Sequence, residues 1–189
     1  MYSNVADQLL SLISDSPENL AVAFIPTAAD PYEDKSFIDV DRNKLVEQGF
    51  KVKDLKLQNQ TVKDLRKELS DIDIIFFAGG NTFYLLQQIQ QTGLDKIIHQ
   101  LLEHGKIYVG SSAGSVIAGP NIEPVKSFDD PSEAPELTNY RGLDLVSFVS
   151  LPHYGKPRYE DRYQQVIKEY TQKGFELKTL KDDEFYIQS

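Results

Sequence analysis

Cysteine is absent from this sequence of 189 residues, and histidine occurs only three times. The absence of cysteine excludes a disulfide scaffold, a thiolate metal site and a cysteine nucleophile. Three histidines scattered along the chain, without any thiol, do not form a zinc-binding pattern. We therefore expect neither a metal nor another cofactor.

Positive charge is also scarce, since 20 Lys and Arg stand against 29 Asp and Glu, which gives a net charge of −9. Nucleic acids and anionic membranes attract basic surfaces, so neither is expected as a partner. Long hydrophobic runs are missing as well: the apolar run at residues 9–13 is too short for a signal peptide or a membrane span. Cytoplasmic residence is the default expectation.

The residues that are present suit a folded core, because 40% of them are hydrophobic, and the length predicts a single domain over residues 1–189. Short apolar runs, typical of strands, alternate with amphipathic helical segments. Strands are predicted at 21–26, 50–57, 72–78, 106–109, 145–151, 175–180 and 184–188, and helices at 5–14, 37–48, 62–69, 81–91, 94–104 and 159–172. This alternation predicts an α/β sandwich with a mostly parallel sheet. The proline-containing stretch 123–139 is predicted to be a long functional loop.

A glycine-serine motif forms the strongest local signal. Gly110-Ser111-Ser112-Ala113-Gly114 follows an apolar strand and precedes a helix-like segment. A tight turn between a strand and a helix projects a serine out of the sheet, and small residues on either side allow the turn. Ser112 is therefore the candidate nucleophile, and the amide of Ala113 is a candidate oxyanion donor. A simple glycine-rich turn is the alternative.

A second glycine turn, Gly79-Gly80, follows the apolar run at 72–78. Free amides at such a turn bind anions, which allows a phosphate loop, but no lysine follows to reach a phosphate. Alternatively, the Gly80 amide is the second oxyanion donor. Asn81, the next residue, is a candidate helix cap and a candidate substrate-binding residue. Both glycine turns follow strands, at the sheet edge where open α/β sheets bind ligands.

A serine nucleophile requires a base. His99 and His104 have structural explanations on a helix, whereas His153 follows an apolar strand within Leu151-Pro152-His153-Tyr154 and is the candidate base, with a strand-capping role as the alternative. The acid that orients the imidazole is expected on the long loop, with Asp129 preferred over its neighbour Asp130. The competitors on the same loop are Glu123, Glu133 and Glu136. The order Ser…Asp…His is that of α/β-hydrolases, although chain order does not define a triad.

These motifs, taken together, resemble the peptidase E (aspartyl dipeptidase) and cyanophycinase family of serine peptidases. The resemblance rests on three blocks in the family's order: 77–86 (FAGGNTFYLL), 108–114 (YVGSSAG) and 151–154 (LPHY). It implies a three-layer sandwich like that of class I glutamine amidotransferases, which is flavodoxin-like. It also implies Ser112 as nucleophile, His153 as base, and the Gly80 and Ala113 amides as oxyanion donors, with the acid at Asp129 or Asp130.

The sequence departs from the family pattern in two places. Family members begin with an apolar strand, whereas this sequence opens on a predicted helix at 5–14, so an inner strand of the sheet is expected to be missing. Aspartyl dipeptidases also carry an arginine segment after the histidine that grips an acidic side chain. Here Arg158 and Arg162 are the candidates, and pairing with acidic neighbours on a helix is the alternative.

The resemblance implies a serine peptidase of short peptides, with dipeptides that begin with Asp as one substrate class. The alternatives are a non-catalytic protein that binds a peptide or an amino acid, a cyanophycinase-like exopeptidase, and an esterase. The partner is expected to be a small peptide, and the protein a monomer or a homodimer.

Overall fold

The computed structural model describes residues 5–188. Its helices are α1 (Val5–Leu12), α2 (Ser36–Glu47), α3 (Val62–Glu68), α4 (Thr82–Thr92), α5 (Ile98–Glu103), α6 (Ala113–Ile117) and α7 (Glu160–Gln172). Its strands are β1 (Ala21–Ile25), β2 (Lys51–Asp54), β3 (Ile74–Phe77), β4 (Ile107–Gly110), β5 (Val149–Pro152) and β6 (Leu177–Leu180). Helices therefore alternate with strands, as the sequence predicts.

The strands form two parallel sheets. The first has four strands in the order β2-β1-β3-β4, and every pair in it is parallel. The second contains β5 and β6, also parallel, with Pro152 opposite Leu180 at its carboxyl end. Parallel pairing brings the carboxyl ends of neighbouring strands to the same edge of a sheet, where ligands bind in open α/β folds.

Alternate side chains of the inner strands pack into two separate cores, one on each face of the four-stranded sheet. Ile75 and Phe77 of β3 lie in the larger core with residues of α3 to α7, whereas Ile74 and Phe76 lie in the other core with residues of α1 and α2. All four side chains are completely buried. A strand covered on both faces loses its polar alternation, which explains the apolar run predicted here. The fold is confirmed as a three-layer α/β sandwich.

Some predicted elements differ from the structure. The predicted strand at 145–151 begins only at Val149, because the Leu145 and Val146 amides both turn to the carbonyl of Ala118. Residues 184–188 form no strand: they are exposed and have no ladder partner among the described residues. The loop 123–139 contains two short 3₁₀ turns, Glu123–Ser127 and Pro131–Glu133.

The helix predicted at 94–104 is divided. Gly93 ends α4 with a φ of 75°, and the chain reverses through a tight 3₁₀ turn at Leu94–Lys96 before α5 begins. A left-handed glycine at a helix end commonly precedes such a reversal. None of the described helices is long and apolar enough to cross a membrane.

Candidate active site

Ser112 lies on a sharp turn between β4 and α6. Its backbone has a φ of 49° and a ψ of −110°, a conformation that non-glycine residues rarely adopt. The turn brings Gly114 against β3 so closely that a Cβ there would lie 2.3 Å from the carbonyl oxygen of Phe77. Only glycine fits at this position. The strained serine on a strand-to-helix turn is the geometry of a nucleophile elbow.

The Ser112 hydroxyl is hydrogen bonded to the predicted base. Ser112 Oγ lies 2.8 Å from Nε2 of His153, although the two residues are 41 positions apart in the chain. His153 directly follows β5 and has a φ of 66°, so its backbone is also left-handed. The distance allows direct proton transfer from the hydroxyl to the imidazole.

The second nitrogen of the imidazole contacts Asp182 rather than Asp129. His153 Nδ1 lies 2.7 Å from Asp182 Oδ1, and Asp182 is found in the turn after β6. A carboxylate that accepts the Nδ1 proton keeps Nε2 free to receive the proton of Ser112. The order in the chain is therefore Ser…His…Asp, which differs from the predicted Ser…Asp…His.

A lysine holds the other oxygen of the same carboxylate. Lys156 Nζ lies 2.8 Å from Asp182 Oδ2 and 3.4 Å from His153 Nδ1. Partial burial alone would raise the pKa of Asp182, but the hydrogen bonds from Lys156 and His153 outweigh it and lower that pKa. Asp182 is therefore a carboxylate at neutral pH, fixed on both sides.

Asp129, which the sequence predicted as the orienting acid, is bound to the start of α4. Its Oδ2 accepts hydrogen bonds from the Thr82 amide, at 2.9 Å, and from the Thr82 hydroxyl, at 2.5 Å. Burial raises the pKa of Asp129, and the Thr82 bonds offset part of that effect. The alternative acid, Asp130, is exposed and caps the 3₁₀ turn at Pro131–Glu133 through Ser132. Neither carboxylate orients His153, because Asp182 occupies that position.

Gly80 and Ala113, the predicted oxyanion donors, both line the cavity that contains Ser112. Ala113 is the first residue of α6, and the amide of a first helical residue has no acceptor within its helix. Gly80 has a φ of 144°, and a Cβ there would lie 2.2 Å from the backbone of Ala28. The turn after β3 thus requires glycine to pass this close to the chain after β1.

The cavity has a volume of about 660 Å³ and extends from the serine to an aromatic wall. Phe128, Tyr159 and Tyr163 form this wall, with the ring centroids of Phe128 and Tyr163 4.6 Å apart. Tyr32 and Phe37 line the cavity as well and are partly exposed. The volume suits a small ligand.

The three predicted substrate-binding residues have different locations. Arg158 lines the cavity, and its guanidinium lies 4.5 Å from the ring centroid of Tyr159. Arg162 lies outside the cavity lining and donates a hydrogen bond to the carbonyl of Ser127. Asn81 is buried outside the lining, where its side chain caps α4 through the Tyr84 amide and binds the carbonyl of Asp130. Of these three residues, only Arg158 lies where it can contact a ligand in the cavity.

The remaining histidines contact backbone carbonyls away from the cavity. His99 Nε2 lies 2.7 Å from the carbonyl oxygen of Leu143, and His104 Nδ1 lies 2.6 Å from that of Gln100. Within residues 5–188, no three acidic or histidine side chains are grouped so as to hold a metal ion.

Asp182 was missed by sequence reasoning, although a signal for it exists. The predicted strands 145–151 and 175–180 both end just before a polar residue with suitable chemistry, His153 and Asp182. Had the two strands been paired as parallel neighbours, their ends would have predicted this contact. The prediction of Asp129 rested instead on its loop after the α6 segment and on the family resemblance, neither of which fixes its distance from His153.

A strained serine hydrogen bonded to a histidine, which in turn contacts an aspartate, is the arrangement typical of serine hydrolases. The comparison with known families narrows this class. The model of peptidase family S51 matches residues 1–185, and the chain belongs to that family. It is therefore a serine peptidase.

Individual relatives agree with this assignment. An uncharacterised peptidase of Listeria innocua is 37% identical over 166 residues, which cover 86% of this chain and 79% of the relative. A peptidase E of Shewanella amazonensis is 42% identical over 91 residues, which cover 48% of this chain and 37% of that protein. The crystal structure of a candidate peptidase E from Listeria monocytogenes superposes with a TM-score of 0.86 at 31% identity, covering 96% of this chain and 88% of that one.

Proposed function

We propose that the chain hydrolyses short peptides through Ser112, His153 and Asp182, with the Gly80 and Ala113 amides as oxyanion donors. The observation that carries this proposal is the continuous hydrogen-bonded series from Ser112 Oγ through both nitrogens of His153 to Asp182. In such a series each group is within direct proton-transfer or orienting distance of the next.

The reaction follows from these contacts. Ser112 Oγ attacks the scissile carbonyl carbon while its proton passes to His153 Nε2, and the carbonyl oxygen becomes an oxyanion beside the two amides. The imidazolium, held by Asp182, then gives the proton to the leaving amine, and the peptide C–N bond breaks. Water, deprotonated by the same imidazole, hydrolyses the acyl-serine and regenerates the hydroxyl.

We propose that Arg158 gives the enzyme a preference for substrates with an acidic first residue. It lies on the cavity wall, and its guanidinium plane suits bidentate contact with a carboxylate. If it holds that side chain, Arg158→Gln lowers kcat/KM for Asp-X dipeptides by about 10- to 100-fold relative to Ala-X dipeptides. An equal loss on both substrate series would contradict this role.

The proposed nucleophile is tested by reaction with a fluorophosphonate, which labels activated serines stoichiometrically. We expect one label per chain at Ser112, no label in Ser112→Ala, and loss of dipeptide hydrolysis in that variant by at least about 10³-fold. Ser111→Ala is the matched control, because it removes the neighbouring hydroxyl and leaves the series of hydrogen bonds intact. Labelling that persists in Ser112→Ala would overturn the assignment of Ser112 as the nucleophile. A wild-type protein that is neither labelled nor active would favour a protein that only binds peptides.

A further inference from the structure

Two serine hydroxyls connect the turn that carries Ser112 to the strand that precedes His153. Ser115 Oγ lies 2.7 Å from the carbonyl oxygen of Ser112 and 3.2 Å from the hydroxyl oxygen of Ser150. Ser150 belongs to β5, three residues before His153, and is only 2% exposed. The two hydroxyls thus form a direct polar link between α6 and β5.

The direction of these hydrogen bonds follows from the groups involved. A serine hydroxyl has one proton to donate, and a carbonyl oxygen can only accept. Ser115 therefore donates to the carbonyl of Ser112 and accepts the proton of Ser150. Within residues 5–188, the Ser150 hydroxyl makes no other hydrogen bond, so this contact alone compensates for its burial.

The carbonyl of Ser112 and the amide of Ala113 belong to one peptide unit. This unit is planar and trans, so the carbonyl oxygen and the amide hydrogen point in opposite directions. A hydrogen bond that holds the carbonyl therefore also fixes the direction of the Ala113 N–H, the proposed oxyanion donor. Rotation of the unit would turn this donor away from the reacting carbonyl.

The backbone of this turn needs support because it is strained and because the helix after it is short. Ser112 has a φ of 49° and a ψ of −110°, a conformation that persists only when surrounding contacts hold it. The Ser112 carbonyl also accepts the Ser115 and Val116 amides, at 2.8 and 3.1 Å. However, α6 has only five residues, and so short a helix has little stability of its own. The Ser115 hydroxyl adds a third donor, which is linked to β5 outside the helix.

We propose that Ser115 and Ser150 are positioning residues for the oxyanion site. Their hydroxyls hold the peptide unit of Ser112 and Ala113 so that the Ala113 N–H faces the developing oxyanion. The inference rests on the proposed function, since it takes Ala113 as an oxyanion donor. Neither hydroxyl-bearing residue lines the cavity, so both act through the backbone, and Ser150 acts through Ser115.

The test measures dipeptide hydrolysis and the binding of a tetrahedral adduct in three variants. Ser115→Ala is expected to lower kcat by about 10- to 100-fold and Ser150→Ala by about 3- to 10-fold, with KM changed by no more than about twofold. Affinity for an aminoalkylboronic acid, which forms a tetrahedral adduct with a reactive serine, should fall by about the same factor as kcat. The double variant should be no slower than Ser115→Ala, because Ser150 acts through that residue.

Two controls separate positioning from a general loss of structure. Titration with the fluorophosphonate to completion expresses kcat per reactive serine, so that unfolded protein is not counted as slow enzyme. Ser147→Ala is the matched control, because Ser147 lies just before β5 and its exposed hydroxyl contacts Glu176 instead; its kcat and boronic acid affinity should equal those of the wild type. A change in KM alone, or additive losses in the double variant, would overturn the positioning role.

The same measurements distinguish failure of this inference from failure of the proposed function. A wild-type protein that is neither labelled nor active would overturn both. An active wild type whose Ser115→Ala variant keeps the wild-type kcat and boronic acid affinity would overturn the positioning role alone. If Ser115→Ala does not fold, Ser150→Ala, which retains Ser115, decides the question: unchanged boronic acid affinity in that variant would contradict the link.

Discussion

Asp182 is the proposed orienting acid of His153, and its carboxylate also contacts Lys156. One oxygen of the carboxylate meets the imidazole at 2.7 Å, and the other meets the ammonium at 2.8 Å. The lysine thus restricts rotation of the carboxylate without touching Ser112. We regard it as a positioning residue for the proposed triad.

Substitutions of Asp182 and Lys156 test how the His153 imidazole is oriented. Asp182→Asn is expected to lower kcat by roughly 10²- to 10⁴-fold, because an amide that donates to Nδ1 would leave the imidazole in the wrong tautomer. Lys156→Met is expected to lower kcat by about 10-fold with little change in KM, and Lys156→Arg to recover most of the loss. Steady-state kinetics on one dipeptide measures all three variants. A change in KM alone would argue against a positioning role.

Ionisation of the partly buried Asp129 lowers the stability of the folded protein at neutral pH. Its pKa is raised in the folded protein, so the folded state binds the proton more tightly than the unfolded chain does. Its ionisation therefore lowers the free energy of unfolding as the pH rises through and above its ordinary value near 3.8. Asp129→Asn, which cannot ionise, is expected to melt at a higher temperature than the wild type at pH 7.

The pH dependence of the melting temperature of Asp129→Asn provides an internal control for this stability effect. The difference in melting temperature should shrink as the pH is lowered below the ordinary pKa of an aspartic acid, because the wild-type residue is then neutral in both states. Calorimetry at pH 7 and at acidic pH measures it. A difference that does not depend on pH would contradict this account of Asp129.

At the scale of the elements, the turn between β4 and α6 depends on the contact of Gly114 with β3. An added Cβ would lie 2.3 Å from the carbonyl oxygen of Phe77. We expect Gly114→Ala to displace the turn, destabilise the fold by about 1–3 kcal/mol and reduce fluorophosphonate labelling by more than about 10-fold. Denaturation curves and labelling rates measure the two effects.

Gly174→Ala is the matched control for this turn. Gly174 has a φ of 86°, but no atom lies within 4 Å of the place where a Cβ would be. Its substitution carries only the cost of a left-handed alanine, about 1–2 kcal/mol, and should leave the labelling rate unchanged. If both variants lost labelling equally, general destabilisation would explain the loss.

The sequence predicts those parts of the fold and site that local patterns encode. The apolar run of β3 was sufficient to predict the sheet, and the glycines around Ser112 were sufficient to predict the turn that carries the candidate nucleophile. His153 could be predicted as a site residue because it comes directly after an apolar run that forms β5. Asp182 could not, since its position beside His153 depends on the pairing of β5 with β6, a contact between distant segments. The predicted strand at 184–188 failed for a similar reason: a suitable pattern without a neighbouring strand forms no ladder.

At the scale of the whole molecule, the site joins two sheets. The four-stranded sheet carries Ser112 at the end of β4 and Gly80 after β3, whereas the two-stranded sheet carries His153 and Asp182. The two-stranded sheet packs on α6 and α7, with Val149 and Leu151 completely buried. The proposed mechanism therefore requires both sheets to be packed together, not only folded.

This arrangement predicts that activity is lost before secondary structure. A two-stranded sheet has little stability of its own and depends on its packing. In a urea titration, dipeptide hydrolysis should decline at a lower concentration than the far-ultraviolet circular dichroism signal does. Coincident curves would show instead that the two sheets unfold as one cooperative unit.

The order of the three residues in the chain has a consequence for synthesis. His153 follows Ser112 by 41 positions, and Asp182 follows His153 by another 29. A ribosome therefore completes the nucleophile first, the base later and the orienting acid last. A growing chain that has already formed the β4–α6 turn still lacks the proposed base and its orienting acid. The proposed triad is complete only after Asp182 has been synthesised and β6 has paired with β5.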